Sequence, residues 1–133
     1  MNRLKILLLS SLFVTLSGCS LLDAYLMAGY DNQEYALINK IRTKAQLSVE
    51  DCSSIDTTKG NILQLKALGK EYQNFAQHIP RNEESYKMGV EMTKLIDQVK
   101  VDQGTSVVFC KMKFQQVERN AEKIQKVLGS KPR

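Results

Sequence analysis

From Val107 to Leu128 the apolar residues return at every third or fourth position: Val107, Cys110, Phe114, Val117, Ala121, Ile124 and Leu128. An α-helix completes a turn in about 3.6 residues, so this spacing gathers all of them on one side of a single helix. A stripe that wide has to be covered by other elements, so the chain must supply them. Val107 to Cys110 alone are β-branched and apolar enough for a strand, but the longer repeat outweighs that local preference.

Three further helices can be read upstream. Asp31 followed by Glu34 resembles a capping box ahead of Tyr35, Ile38, Ile41 and Ala45, which share a helical face. Thr57 or Thr58 can cap a second helix, whose apolar positions are Ile62, Leu65, Leu68, Tyr72, Phe75 and Ile79. Pro80 stops it. Asn82 is the expected cap of a third helix, with Glu83 and Glu84 placed favourably in its first turn. The stripe of that helix is Tyr86, Val90, Ile96 and Val99, with Met92 and Leu95 at its edge. Residues 102–106, containing Gly104 and Ser106, read as a turn, and Gly129 stands where a C-cap is expected. Four amphipathic helices with short connections predict an all-α fold, a small antiparallel four-helix bundle. There is no internal repeat and no low-complexity tract.

The first residues have a different character. Met1 to Lys5 carry Arg3 and Lys5 and no acid, and Ile6 to Leu16 form an apolar run broken only by Ser10, Ser11 and Thr15. That run is shorter than the roughly 20 residues a membrane-spanning helix needs, so a secretory signal peptide fits better. It ends in Leu16-Ser17-Gly18-Cys19, which resembles the lipobox of bacterial lipoproteins. The resemblance implies a signal peptide over residues 1–18, cleaved between Gly18 and Cys19. It also implies a diacylglyceryl group on the Cys19 thiol and an N-acyl chain such as palmitate on the new amino terminus. In two-membrane bacteria an aspartate after the lipidated cysteine retains the protein in the inner membrane. Ser20 therefore implies the inner leaflet of the outer membrane, facing the periplasm. At about 0.8 kcal/mol per buried methylene, two or three acyl chains make a stable anchor.

Cleavage leaves 115 of the 133 residues, enough for one domain. Residues 19–30 read as a lipid-anchored, membrane-proximal segment, residues 31–129 as the helical domain and residues 130–133 as a basic tail. The mature part has seventeen bases against fourteen acids, a net of +3, too mild to suggest nucleic-acid binding. With Cys19 lipidated, Cys52 and Cys110 remain. In an oxidising compartment they read as a disulfide, two buried thiols being the alternative. An up-down-up-down bundle brings the Cys52 loop beside the start of the fourth helix, at the end away from the lipid. The same topology puts His78, Pro80 and Arg81 at the lipid end with the basic tail of Lys123, Lys126, Lys131 and Arg133. That tail reads as solvated charge, or else as a contact with anionic lipid worth about 1 kcal/mol per base.

Catalytic patterns are absent from the sequence. His78 is the only histidine, so paired-histidine metal sites cannot form, and its place at a helix end suggests capping or surface exposure. Asp51 with Asp56, and Glu83 with Glu84, are the notable carboxylate pairs, and neither demands a reaction. The glycines read as scattered among turns and helix ends rather than as a phosphate loop. Trp is absent, leaving Tyr for any stacking on carbohydrate. Tyr25, Tyr30 and Tyr35 recur every five residues, a step of about 500° that scatters them around a helix, so they read as separate packing residues. Lys66, Lys70, Lys87 and Lys94 read as solvated faces.

These features predict a non-enzymatic, membrane-tethered helical module that binds another envelope protein, with no cofactor, metal or nucleic acid. In size, tether and cysteine pair the chain is similar to the pilotins of type II secretion systems, and phage- or plasmid-encoded exclusion lipoproteins share that outline. The alternatives are a structural lipoprotein resting its 21–29 segment and basic tail on lipid, and a hydrolase with an unrecognised site.

Overall fold

A computed structural model describes residues 28–133. The signal peptide, the Gly18–Cys19 cleavage site, lipidation of Cys19, Tyr25 and most of the 19–30 segment lie outside the described residues. Four α-helices follow: α1 (Asn32–Ser48), α2 (Ile55–His78), α3 (Glu83–Asp97) and α4 (Val107–Gly129), with a 3-10 turn at Glu50–Ser53. Among the described residues there is no strand, and the apolar start of α4 is helical as its repeat required.

The helices form an antiparallel bundle. Its tightest pairings are α1 with α4 and α2 with α3, α1 with α2 comes next, and α3 with α4 is the sparsest. Tyr72, Phe114, Ile38, Ile41, Leu65, Met92, Ile96 and Leu128 are the large side chains sealed in the middle. Cys52 and Cys110 form a disulfide, with 5.8 Å between their Cα atoms. It joins the α1–α2 connection to the first turns of α4, at the end opposite Ala28. Closing a loop of that size contributes about 4 kcal/mol in the chain-entropy account.

Local chemistry departs from expectation at several helix ends. Asp31 caps α1 by accepting from the Glu34 amide at 2.8 Å, but the Glu34 side chain does not complete the box. It turns inward and is fully buried. The cap of α2 is Ser54, not Thr57 or Thr58, with the Thr57 amide donating to its hydroxyl. Thr58 sits in the first turn, and its hydroxyl donates to the Ser54 and Asp51 carbonyls at 2.7 and 3.0 Å. It thereby stitches the 3-10 turn to the helix. Asn82 precedes α3 but gives it no side-chain cap, because its amide is used in the core. Gly129 is the last residue of α4 and not a left-handed C-cap; Ser130 ends the helix in a right-handed conformation. The left-handed residue is Arg81 after Pro80, at φ 59°.

The stripes of α1 at Ile38, Ile41 and Ala45 and of α4 from Cys110 to Leu128 are buried as expected, but that of α3 is rotated. In α3 the buried row is Ser85, Gly89, Met92 and Ile96, continued by Val99, while Tyr86 and Val90 are only half-buried. Val107, expected to begin the α4 stripe, is exposed. Glycines cause part of the rotation, and they are not confined to turns. Gly69 of α2 and Gly89 of α3 face the α2–α3 contact. A Cβ on Gly89 would lie 3.1 Å from the Gln73 Cα and from the Tyr72 ring, and one on Gly69 would lie 3.1 Å from Ile96 Cδ1. Two missing side chains let the helices approach, which moves the packing seam onto the glycine rows.

Candidate functional site

At the Ala28 end, residues 28–34 and 130–133 are clasped together by buried polar chemistry. Lys131, expected in a solvated tail, is 6% exposed. Its ammonium donates to Glu34 Oε2 at 2.9 Å, Asn82 Oδ1 at 2.6 Å and Ser85 Oγ at 2.8 Å, so every proton has an acceptor. Asn82 Nδ2 in turn donates to Glu34 Oε1 at 2.7 Å and to the Ala76 carbonyl at 3.3 Å. A buried ion pair is tolerated only when its desolvation is offset by such complete hydrogen bonding. Among the described residues, the Tyr72 hydroxyl next to this network makes no hydrogen bond of good geometry, Ser85 being the polar group beside it. Burial first, then the Glu34 charge, push its pKa well above the ordinary tyrosine value, with the Ser85 hydroxyl opposing them.

Backbone bonds extend the clasp. The Ala28 amide donates to the Arg81 carbonyl at 3.1 Å, and the Tyr30 amide donates to the Pro132 carbonyl at 2.8 Å. Arg133 lies over the Tyr30 ring at 5.4 Å, and Tyr30 packs on Tyr35 with ring centroids 5.9 Å apart. Tyr30 and Tyr35 therefore form a pair and are not independent packing residues, because Tyr30 precedes the helix and escapes its 100° step. With Lys131 internal, less basic charge is left at this end for contact with lipid.

The opposite end is apolar on its outside. Val107, Val108, Phe109 and Met112 are 44%, 78%, 40% and 48% exposed. Ser106 caps this helix through the Phe109 amide, and no acid stands in its first turn. Lys113 Nζ sits 5.5 Å from the Phe109 ring centre. Along the flank, the sparse α3–α4 contact leaves an open groove of about 480 Å³. Met88, Met92, Leu95 and Ile124 supply its apolar lining, and Gln116 and Asn120 its polar rim.

The remaining candidates are dispersed. His78 is exposed, with Nδ1 2.7 Å from the Asn74 carbonyl one turn back. Asp51 accepts from Asn61 Nδ2 at 2.8 Å, while Asp56 and Glu83 are simply exposed. Glu84 pairs with Lys87 at 2.9 Å, Glu91 with Lys94 at 2.8 Å and Asp97 with Lys66 at 3.1 Å, all on the surface, where water screens such pairs and they add little stability. Lys70 is exposed. Among the described residues, no group of three His, Cys, Asp or Glu side chains could hold a metal ion, and no helix is long and apolar enough to cross a membrane.

Sequence reasoning missed the Lys131–Glu34–Asn82 network, although the signal was present. Lys131 continues the α4 stripe three residues beyond Leu128, Glu34 precedes Ile38 by four on the α1 stripe, and Asn82 opens the α3 row three before Ser85. No protein-family model, curated protein or solved structure matches this chain.

Proposed function

We propose that this chain is a periplasmic lipoprotein held by acyl chains on Cys19 in the outer membrane, and that it acts without catalysis by binding another envelope protein. The Leu16-Ser17-Gly18-Cys19 lipobox supports the tether, and Ser20 supports the outer membrane. The observation that carries the binding reading is the exposed apolar opening of α4, Val107-Val108-Phe109 with Met112. Consecutive exposed apolar residues are unfavourable in an aqueous compartment unless something covers them. This one stands at the far end of a 23-residue helix, about 35 Å from the end where Ala28 enters. A tethered protein that displays such a surface away from its anchor is suited to meeting a partner rather than lipid.

The test is a photo-reactive amino acid placed at Val108, and separately at Glu71 on the exposed face of α2, in cells making the full chain. A discrete protein adduct at Val108 and none at Glu71 is the expected result. Equal background at both positions, with the protein correctly localised, would remove the binding reading.

A further inference from the structure

Every pair of neighbouring helices in this bundle is closely packed except α3 with α4. The trough between them is floored by the half-buried Met88 and Leu95 and by Met92 and Ile124, which are nearly buried. Methionine adapts its shape readily, so this floor can conform to a guest side chain. On α4 the groove is lined by Gln116, Asn120 and Ile124, spaced by four and thus along one side of the helix. Phe109 and Val127, one heptad beyond Gln116 and Asn120 on the same side of α4, are each 40% exposed and add apolar surface past the two ends of the groove. A trough between antiparallel helices, about 22 Å long beside the 15 residues of α3, has the dimensions to receive one more helix of about four turns.

Charge selects among helices. On the α3 rim each acid is neutralised by its own lysine, Glu84 by Lys87 and Glu91 by Lys94. The α4 rim is different. Its two acids, Glu118 and Glu122, share the side of Gln125, which bonds to Arg42 and Asn39 of α1. Lys126, which pairs with Glu122 at 2.9 Å, holds that carboxyl below its ordinary pKa, and Arg42 adds to the effect. Lys113, Arg119 and Lys123 are turned away from Glu118 and Gln125 by helical position, outside the groove lining itself, and among the described residues none of them is in an ion pair.

We propose that the α3–α4 groove seats an amphipathic helix of a partner protein, with acidic residues along the edge that meets α4. This rests on the protein-binding reading above and names the partner's chemistry. A second copy of the chain is disfavoured, because joining two α4 faces sets like charges opposite one another. Residues 20–27 of the chain itself are apolar but bring only Asp23 as charge.

The experiment uses the full chain in neutral phosphatidylcholine nanodiscs, titrated with three fluorescent peptides and read by anisotropy. The peptides are a four-turn Leu/Ala helix with Glu along one edge, the same helix with Lys along that edge, and residues 20–27. The Glu-edged peptide should bind saturably and about tenfold or more tighter than the Lys-edged one at low salt, and the gap should narrow at high salt. Asn120→Trp, which fills the trough from its rim, should weaken that binding about tenfold, and the surface change Lys123→Glu should remove the preference for Glu. Leu47→Ser, on α1, should change nothing. Equal binding of both helices, or an Asn120→Trp protein that melts normally and binds undiminished, would overturn the proposal. Tighter binding of residues 20–27 would overturn it too, by assigning the groove to the chain itself. Photo-adducts at Val108 with no groove binding would defeat this inference alone; loss of both would defeat the binding reading as well.

Discussion

At the end where Ala28 enters, the bundle is closed by one buried lysine; at the other it is closed by the Cys52–Cys110 bond. The difference governs what each end can expose. A buried ammonium must be kept dry and fully hydrogen-bonded, so the residues around it are occupied in tying down residues 28–30 and 130–133. A covalent bond keeps its strength whatever surrounds it. The first turn of α4 just ahead of Cys110 can therefore present Val108 and Phe109 outward without loosening the fold. One end is committed to holding the chain's entry point, and the other is free to carry a surface.

The comparison can be broken most sharply at Lys131. Lys131→Ala leaves Glu34 charged and buried without its partner, and urea unfolding should register a loss of about 3–5 kcal/mol. Replacing both groups by apolar ones, Glu34→Leu with Lys131→Met, should recover much of that loss; a double variant no better than the single one would mean the network is not acting as a unit. At the opposite end, Cys52→Ala with Cys110→Ala should cost about 2–4 kcal/mol through the freedom returned to the unfolded chain. The photo-adduct at Val108 should weaken as the end loosens.

Gly89→Ala comes next, with a loss of about 1–3 kcal/mol, because the added methyl meets the Gln73 backbone and not a yielding side chain. Gly60, with nothing within 4 Å of its Cβ position, is the control and should gain stability on the same change.

Tyr72→Phe is the mildest change. Removing a hydroxyl that makes no hydrogen bond of good geometry among the described residues should shift neutral-pH stability by less than about 1 kcal/mol. Its effect appears in alkali. Because the folded protein raises this pKa, the contribution is present below the ordinary value of 10.0 and is lost as pH rises above it, when only the unfolded chain releases the proton. Wild-type stability should therefore fall more steeply above that pH than Tyr72→Phe stability. Parallel curves would mean the hydroxyl is solvated.

The sequence carried the helices because each stripe is long, and the disulfide because a bundle topology and a pair of cysteines pointed to the same end. It carried the helix ends less well. Caps were read from single residues, yet Asn82 and Glu34 were drawn inward by a lysine 97 residues from Glu34, a pull that no local pattern contains. Glycine faces were missed for a related reason: Gly69 and Gly89 look like interruptions until the two helices are laid side by side. Of the apolar opening of α4 only Val107 falls on the expected buried stripe, and it is exposed, since a stripe gives the direction of burial and not where the covering helix stops. Here α3 ends at Asp97, so among the described residues the first turn of α4 is covered on the Cys110 side by the 3-10 turn and not by α3.

Intact mass of the membrane-extracted protein, taken with and without reductant, tests the account most directly because it reads both ends in one spectrum. The account predicts a chain beginning at Cys19, heavier by its acyl chains, that gains two hydrogens when the Cys52–Cys110 bond is reduced, and a Cys19→Ala form without the acyl mass. An unmodified chain that retains Met1 to Gly18, or a mass unmoved by reductant, would contradict it.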